Sequence, residues 1–256
     1  MEGAGMFDLG GRLCLVTGGG RGIGRSIASA LAAHGGHVVV TGRSEDTLQS
    51  TVDDIRAGGG RADWLTVDIR SEDEVVRLAQ TVGERFGAAH VLVNNAGVNA
   101  IYKSADKTTL DEWDTIVGTN LTGVFLACRE FGRQMLAAGR GSIVNISSIG
   151  GRTGLGKTAA YCASKGGVEL MSKSMAIDWA PKGVRVNCVA PAYVETDLTS
   201  GLAGHPVLGA RIAARTPMGR FGRTDEIAGA VVFLASDASS YLTGESIAVD
   251  GGWLGS

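Results

Sequence analysis

The sequence predicts one α/β domain, built on a doubly wound parallel sheet of about seven strands with helices on both faces. Short β-branched runs alternate with longer amphipathic segments, and most of the short runs are continuously apolar. Such alternation is typical of a parallel sheet, whose strands are covered on both faces. No repeat or linker divides the chain, and its 256 residues are compatible with a single domain spanning 1–256.

Seven apolar runs are the predicted strands, and helical patterns lie between them. The predicted strands are Leu13–Thr17, His37–Thr41, Trp64–Val67, Val91–Asn94, Ser142–Ile146, Arg185–Val189 and Ile247–Val249. The clearest helical patterns are Ile23–His34, Glu45–Ala57, Ser71–Phe86 and Tyr161–Ala180.

The segment 197–218 interrupts this rhythm and contains Gly201, Gly204, Pro206 and Pro217. In a doubly wound sheet, an insertion after a late strand stands over the carboxyl ends of the strands, where ligands bind. We interpret it as a small substrate lid within the domain; a surface excursion without a role is the alternative.

The composition argues against several classes of protein. The net charge is -2 and there is no basic run, so we expect no nucleic-acid partner. No apolar run approaches the ~20 residues of a membrane span, and the N-terminus does not have a signal-peptide pattern. Cysteines without metal-ligand spacing fit a reducing cytoplasm and no metal site; they are Cys14, Cys128, Cys162 and Cys188.

A glycine-rich turn, Thr17-Gly18-Gly19-Gly20-Arg21-Gly22-Ile23-Gly24, follows the first strand and opens the first helix. Gly18 permits a tight turn, Gly22 lets the backbone approach a pyrophosphate, and Gly24 lets the helix pack on the strand. The helix N-terminus then faces the anion. A merely structural turn is the alternative, but the position at the first strand–helix junction favours a phosphate-bearing ligand.

Tyr161 and Lys165 are four residues apart in a predicted helix and therefore share one face. A tyrosine has an ordinary pKa near 10, and a nearby ammonium lowers that pKa because it stabilises the phenolate. Lowering it to about 7 requires roughly 4 kcal/mol. This pair alone is more typical of a solvated surface than of an acid/base site, so its neighbours decide the interpretation.

Four motifs occur in a fixed order: the glycine turn at 17–24, Asn94-Asn95-Ala96-Gly97, Ser147-Ser148 and Tyr161-x-x-x-Lys165. With these spacings the sequence resembles the short-chain dehydrogenase/reductase family from about Leu9 to Gly252. The resemblance implies a Rossmann-type fold and an NAD(P)-dependent oxidoreductase that moves a hydride between the nicotinamide and a carbonyl or secondary alcohol.

The resemblance also implies catalytic roles. Tyr161 would exchange a proton with the substrate oxygen, and Ser148, thirteen residues earlier, would hydrogen-bond to that oxygen. Lys165, together with a nicotinium, would lower the pKa of Tyr161 and would hold the nicotinamide ribose. Asn120 resembles the family's asparagine that anchors a relay water; a helix cap is its alternative role.

The cofactor contacts that the resemblance implies surround the same cleft. They come from Gly18, Arg21, Gly22, Ile23, Gly24, Arg43, Ser44, Asp68, Ile69, Asn94, Ala96, Gly97, Tyr161, Lys165, Pro191, Val194 and Thr196. Two alternatives stay open, a helix-capping role for Asp68 and a purely turn-forming role for Asn94.

One position departs from the family, because Ala192 follows Pro191 where the family has glycine. If that backbone requires a positive φ, alanine costs about 1 kcal/mol, and otherwise the change is nearly free. Three residues beside the motifs, Arg152, Lys157 and Tyr102, are either substrate contacts or solvated surface.

The residues after the second strand favour NADP over NAD. An NAD site usually carries an acidic residue there, whereas this strand is followed by Gly42-Arg43-Ser44. A guanidinium binds a 2′-phosphate through charge-assisted hydrogen bonds, and Arg21 is a second candidate for that contact. NAD remains the alternative, because Glu45 and Asp46 follow closely.

The residues around 215–222 and the ending Asp250-Gly251-Gly252-Trp253 resemble the sugar, polyol and aldonate dehydrogenases of the family. A 3-oxoacyl carrier-protein reductase is the alternative, and a non-catalytic dinucleotide-binding regulator is disfavoured because Tyr161 and Lys165 are both present. The resemblance implies a homotetramer, in which Gly166 and Gly167 would allow close helix approach and the last strand would pair with its copy.

Overall fold

The computed structural model describes residues 5–99, 101–197 and 199–256. Its seven strands are β1 (Leu13–Thr17), β2 (His37–Gly42), β3 (Arg61–Thr66), β4 (Val91–Asn94), β5 (Gly141–Ile146), β6 (Val184–Pro191) and β7 (Ser246–Val249). Its helices are α1 (Gly22–Ala33), α2 (Glu45–Ala57), α3 (Glu72–Phe86), α4 (Leu110–Val117), α5 (Gly123–Ala138), α6 (Ala159–Trp179), α7 (Ser200–Ala203), α8 (Pro206–Arg215) and α9 (Thr224–Ala235).

All seven strands are parallel and follow the order β3-β2-β1-β4-β5-β6-β7, so the predicted doubly wound sheet is confirmed. The strand order reverses between β1 and β4, which end side by side at Thr17 and Asn94. A reversal of this kind opens a crevice outside the carboxyl ends of the strands, where ligands bind in such sheets.

The sheet separates two apolar cores. On one face, Ile27 of α1, Val52 of α2 and Val231 of α9 pack against alternate strand residues. On the other face, Val82 of α3 and Phe131 of α5 belong to a second cluster with the remaining strand residues and with α6. Burial on both faces explains why the strands lack polar alternation.

The prediction is least accurate at the edge strand β3, which begins at Arg61 rather than at Trp64. Its first residues are polar, and Asp63 pairs with His37 at 2.7 Å and with Arg56 at 3.1 Å. Polar side chains that form ion pairs on an edge strand do not produce an apolar run, so the sequence pattern missed that half of the strand.

The segment interpreted as a lid contains α7 and α8, joined at His205, whose side chain accepts backbone hydrogen bonds at the start of α8. Residue 198 of this segment lies outside the described residues. The chain returns to the domain at Thr216, which is buried. No helix in the described part of the chain is long and apolar enough to span a membrane.

Candidate active site

The glycine turn brings backbone close to backbone at the end of β1. Gly18 and Gly22 have positive φ of 65° and 53°. A methyl group on Gly24 would lie 2.1 Å from the Gly18 carbonyl oxygen, so only glycine permits this approach. The N-cap of α1 is Arg21, whose side chain makes no capping hydrogen bond. The amides of the first turn therefore fit an anionic group, as the sequence predicts.

Asn95 joins the loop after β4 to the end of β1. Its amide nitrogen donates to the carbonyl oxygens of Thr17 at 3.1 Å and Gly18 at 3.0 Å. The Thr17 hydroxyl accepts from the backbone amides of Asn95 and Ala96, both at 3.1 Å. This bridge fixes the crevice between the two central strands, and it is a positioning contact that the sequence analysis did not assign.

The side chain of Asn94 lies in the core. It is 1% exposed and donates to Asn145 at 2.8 Å. Because side chains alternate along a strand, Asn94 and Asn95 point to different places. The predicted cofactor contact of Asn94 is therefore restricted to its backbone.

Asn120 lies in a π-helical turn, Gly118–Thr122, between α4 and α5. Its amide accepts from Val98 N at 2.8 Å and donates to Val98 O at 2.9 Å and to Ser164 at 3.3 Å. A methyl group on Gly97 would lie 3.3 Å from Asn120 Oδ1 and 3.7 Å from Lys165 Nζ. Asn120 therefore holds the loop after β4 against α6, and it is not a helix cap. Interruptions of this kind frequently mark functional sites.

Ser148 follows β5, and its Oγ accepts from the backbone amide of Gly150 at 3.1 Å. The loop that carries it packs tightly on α6, since a methyl group on Gly151 would lie 2.9 Å from the Lys165 carbonyl oxygen. Ser147 also faces α6 and contacts the Lys165 carbonyl oxygen at 3.4 Å. Ser148 is therefore the serine beside Tyr161, and Ser147 has a structural contact, as the sequence predicts.

Tyr161 and Lys165 lie on one face of α6, beside the end of β5. The Lys165 ammonium donates to the Ile146 carbonyl oxygen at 2.7 Å and lies 5.9 Å from the centroid of the Tyr161 ring. Burial lowers the pKa of Lys165 to about 8. The four residues proposed as catalytic, Asn120, Ser148, Tyr161 and Lys165, are thus brought together in space.

The pKa of Tyr161 is raised, chiefly by burial, while a hydrogen bond with Ser148 lowers it. Lys165 is not among the groups that shift the pKa of Tyr161 in the protein alone, so the expectation that Lys165 and a nicotinium together lower this pKa stays a prediction. The ammonium donates its hydrogen bond to Ile146, and desolvation of the phenol dominates. A phenolate at Tyr161 therefore requires a further positive charge beside it.

The residues proposed for the adenosine end of a dinucleotide lie at the ends of β2 and β3. Arg43 and Ser44 are exposed in the turn between β2 and α2, and Ser44 makes no side-chain cap. Asp68 pairs with Arg70 at 2.8 Å, and Arg43 is close enough to contribute to the lowering of the Asp68 pKa. The alternative role of Asp68 as N-cap of α3 is wrong, because Ser71 is that cap.

The other predicted cofactor residues border the crevice from two sides. Ile69 is 7% exposed in the core, so its backbone is the part available to a ligand. Val194 is likewise buried and forms a bridge with Gly222. Thr196 Cγ2 would lie 3.5 Å from a methyl group on Gly22, so Thr196 faces the glycine turn directly.

A family model described as enoyl-(acyl carrier protein) reductase matches residues 18–254. The chain belongs to the short-chain dehydrogenase/reductase family. Gluconate 5-dehydrogenase of Gluconobacter oxydans (strain 621H) is 36% identical over 96% of each chain. The 3-oxoacyl-(acyl-carrier-protein) reductase of Escherichia coli (strain K12) is 40% identical, over 94% of this chain and 97% of its own.

Among solved structures, a gluconate 5-dehydrogenase from Burkholderia cenocepacia J2315 in complex with NADP and tartrate has a TM-score of 0.95. It is 36% identical and covers 99% of each chain. The family membership makes this protein an NAD(P)-dependent oxidoreductase that acts on CH–OH groups. The predicted family and enzyme class are confirmed.

The alanine at position 192, where the family has glycine, does not strain the backbone. Lys157, at φ 64°, is the non-glycine residue with positive φ in the described ranges, so Ala192 needs no left-handed backbone. By the argument made from the sequence, replacing the family's glycine with alanine is nearly free here.

Arg152 is engaged within the fold of this dehydrogenase. Its guanidinium pairs with Glu169 of α6 at 3.2 Å and donates to the Ser246 carbonyl oxygen. These bonds give Arg152 a structural role in place of the substrate contact or solvated position that the sequence left open. Lys157 and Tyr102 are exposed and contact each other, with the Lys157 ammonium 5.3 Å from the ring centroid.

Tyr193 is a site residue that sequence analysis missed. It is half-buried, it contributes to raising the pKa of Tyr161, and its ring lies 5.0 Å from the Trp253 ring. It also lines a cavity of about 360 Å³ between the end of β6 and the segments 216–222 and 248–252, which Tyr161 and Ser148 do not line. Its position two residues after Pro191, just beyond the carboxyl end of β6, is the signal that could have identified it.

Proposed function

We propose that this dehydrogenase transfers a hydride between NADP and a secondary hydroxyl of a sugar, polyol or sugar acid, with Tyr161 as the acid/base. The observation that carries the proposal is that Ser148 and the buried Lys165 ammonium both lie beside Tyr161. Ser148 is close enough to lower the pKa of Tyr161, and the ammonium lies 5.9 Å from the centroid of its ring. A phenol and a hydroxyl directed at one point can share a substrate oxygen, with no metal required to polarise it.

In the oxidation direction, Tyr161 accepts the proton of the substrate hydroxyl, and Ser148 donates a hydrogen bond to the same oxygen. The Lys165 ammonium, 5.9 Å from the centroid of the Tyr161 ring, and the charge of the bound cofactor would together stabilise the phenolate. Asn120 keeps the loop at Gly97 beside Lys165. When bound at the residues named below, NADP would supply the hydride acceptor and a positive charge that favours the phenolate.

We propose that the glycine turn at Gly18, Gly22 and Gly24 holds the pyrophosphate and that Arg43, Ser44 and Arg21 hold the 2′-phosphate. The positive φ of Gly18 and Gly22 and the close approach at Gly24 form a cradle that a side chain would fill. No acidic partner of Arg43 or Arg21 occurs in the described ranges, which leaves both guanidinium groups available for a phosphate.

The named relatives support two substrate classes, sugar acids and 3-oxoacyl thioesters. The gluconate 5-dehydrogenases favour a sugar acid, whereas the reductase of Escherichia coli favours a 3-oxoacyl thioester as the alternative. The test is a steady-state screen of aldonates, alditols and 3-oxoacyl thioesters with NADP(H) and NAD(H), followed at 340 nm. Preference for a thioester over every sugar derivative would refute the proposed substrate class.

We propose a homotetramer, as the family resemblance implies. Gly167 does not serve such an interface as expected, because a methyl group there would lie 2.9 Å from Leu121 of the same chain. The support comes instead from α6, where Leu170 and Ile177 are 70% and 76% exposed and, seven residues apart, lie on one face. Light scattering at micromolar concentration tests this, with Leu170→Glu expected to produce smaller species. A monomeric wild type would refute it.

A further inference from the structure

The last residue of α8, Arg215, packs against Trp253 of the C-terminal segment. Its guanidinium carbon is 4.3 Å from the centroid of the Trp253 ring, and Trp253 is 4% exposed. Tyr193 packs on the same indole at 5.0 Å between ring centroids. The three side chains form one wall, in which a buried indole supports an exposed cation.

The charge of Arg215 is not used within the described part of the chain. No carboxylate there lies within ion-pairing distance of it, whereas the nearby Arg220 pairs with Glu226 at 2.7 Å. Contact with the indole holds the guanidinium in place, and its N–H donors make no hydrogen bond within the described residues. A planar pair of N–H donors is the group that binds a carboxylate in two parallel hydrogen bonds.

This wall is adjacent to the proposed acid/base. Tyr193 follows β6, the strand paired with β5, and Ser148 follows β5, so Tyr193 and Ser148 lie at the same edge of the sheet. Tyr193 is also close enough to Tyr161 to raise its pKa, while burial raises the pKa of Tyr193 and Arg215 lowers it. Because Tyr193 and Arg215 pack on the same indole, a substrate with its hydroxyl at Tyr161 that extends past Tyr193 would approach the guanidinium.

A second exposed cation, Lys157, lies over the Tyr102 ring, with its ammonium 5.3 Å from the ring centroid. The Tyr102 ring beneath it is 64% exposed, whereas the Trp253 ring beneath Arg215 is buried. An ammonium is also a single point charge without paired planar donors. The buried Trp253 ring and the planar N–H donors of the guanidinium both favour Arg215 as the carboxylate contact.

We propose that Arg215 binds the carboxylate of a sugar-acid substrate and selects it over the corresponding uncharged polyol. This inference rests on the proposed function and names the charged end of its substrate. Arg215 is thus a specificity residue: it acts on the end of the substrate remote from the reacting carbon.

The experiment compares D-gluconate and further C4–C6 aldonates with their alditols, for wild type and Arg215→Met, using kcat and KM at saturating dinucleotide. We expect the aldonate KM to rise at least tenfold in the variant, which corresponds to about 1.4 kcal/mol or more, because a charge-assisted contact is lost. The alditol KM should stay within about twofold. Arg215→Lys should recover part of the loss. Arg211→Met, an exposed arginine one turn earlier on α8, is the matched control and should leave both KM values unchanged.

Fluorescence titration with NADPH and thermal unfolding check that Arg215→Met remains folded and binds dinucleotide. An unchanged aldonate KM, or equal losses on aldonates and alditols, would overturn the assignment while leaving the proposed function intact. A KM effect in Lys157→Met but not in Arg215→Met would also overturn it. A wild type that turns over neither aldonates nor alditols would refute the proposed function itself, and the assignment with it.

Discussion

The ammonium of Lys165 lies 5.9 Å from the centroid of the Tyr161 ring, one turn further along the same helix. In this arrangement the lysine is close enough to stabilise a phenolate but is bonded to the backbone of β5 rather than to the phenol. Ser148 lies close enough to the phenol to lower its pKa. The roles of these three side chains can therefore be separated by single substitutions.

Tyr161→Phe should reduce turnover by about 10²–10⁴-fold while NADPH binding persists, because the substitution removes the proton-transfer group and keeps the ring. Turnover is measured at 340 nm with the best substrate of the screen, and binding by nucleotide fluorescence. Tyr241→Phe, at a fully exposed tyrosine, is the control and should behave as wild type. Wild-type turnover in Tyr161→Phe would remove Tyr161 from the mechanism.

Ser148→Ala should move the pH dependence of alcohol oxidation as well as its rate. Oxidation requires deprotonated Tyr161, so the rate rises with pH through the pKa of the phenol. Because the hydrogen bond with Ser148 lowers that pKa, its removal should shift the rising limb to higher pH. The measurement is kcat/KM from pH 6 to 10, with Ser147→Ala as the matched control. A limb that stays in place would mean that Ser148 does not bond to the titrating group.

Lys165→Met should inactivate the enzyme yet stabilise the dinucleotide-free fold near pH 7. In the folded protein burial lowers the pKa of Lys165 to about 8, so below that pH the folded state carries the cost of a buried charge. The shift corresponds to about 3 kcal/mol, and the cost decreases as the pH rises from about 8 towards the ordinary lysine value.

The difference in unfolding free energy between Lys165→Met and wild type should therefore be largest below pH 8 and should diminish by pH 10. Urea unfolding at several pH values measures it. Lys173→Met, at an exposed lysine on the same helix, should show no such pH dependence. A variant that is less stable than wild type at pH 7 would contradict the prediction.

Gly24→Ala and Gly22→Ala should have different consequences. A methyl group at position 24 would meet the Gly18 carbonyl oxygen at 2.1 Å, so we expect a loss of about 2–3 kcal/mol in unfolding free energy. At position 22 the nearest atom is 3.5 Å away, and only the positive φ costs energy, about 1 kcal/mol.

Gly22→Ala should instead weaken NADPH binding, because its methyl group enters the proposed pyrophosphate site. Thermal unfolding and fluorescence titration measure the two effects. Gly229→Ala is the control, because it lies in α9 with open space around it and should be neutral or slightly stabilising. If Gly22→Ala bound NADPH like wild type, the turn would not hold the pyrophosphate.

The sequence predicted elements best where burial is complete. Strand β1 has the predicted bounds because every residue in it is buried, whereas β3 was half missed because its polar residues form ion pairs at the sheet edge. Neighbouring side chains at the end of a strand point to opposite faces, and two successive asparagines do not show which of them reaches β1. The bridging role of Asn95 was therefore not predicted.

A sequence pattern does not show which side chains bond to residues far away along the chain. Arg152 is bonded to Glu169 and Ser246, which are 17 and 94 positions further along the chain, and no local sequence pattern shows such partners. The direction of the pKa shift of Tyr161 depends on how deeply the phenol is buried, and spacing along a helix does not contain that information.

Arg43→Ala should reverse or abolish a preference for NADP. Arg43 is exposed at the end of β2, and its charge reaches Asp68 at the end of β3, so it lies where the adenosine ribose sits in doubly wound folds. Two paired hydrogen bonds to a 2′-phosphate are lost in the variant, while the 2′-hydroxyl of NAD loses little. We expect kcat/KM to fall at least tenfold with NADP and less than threefold with NAD, so the preference for NADP should decrease by more than about threefold, or about 0.7 kcal/mol.

The control for Arg43→Ala is Arg77→Ala, at an exposed arginine on α3 that should leave both cofactors unaffected. Two results would contradict the prediction in different ways. Equal losses with both cofactors would mean that Arg43 contacts the adenine, which NADP and NAD share. A wild type that prefers NAD would mean that the ribose is bound by Glu45 or Asp46 at the start of α2, whose carboxylates repel a 2′-phosphate and accept from a 2′-hydroxyl.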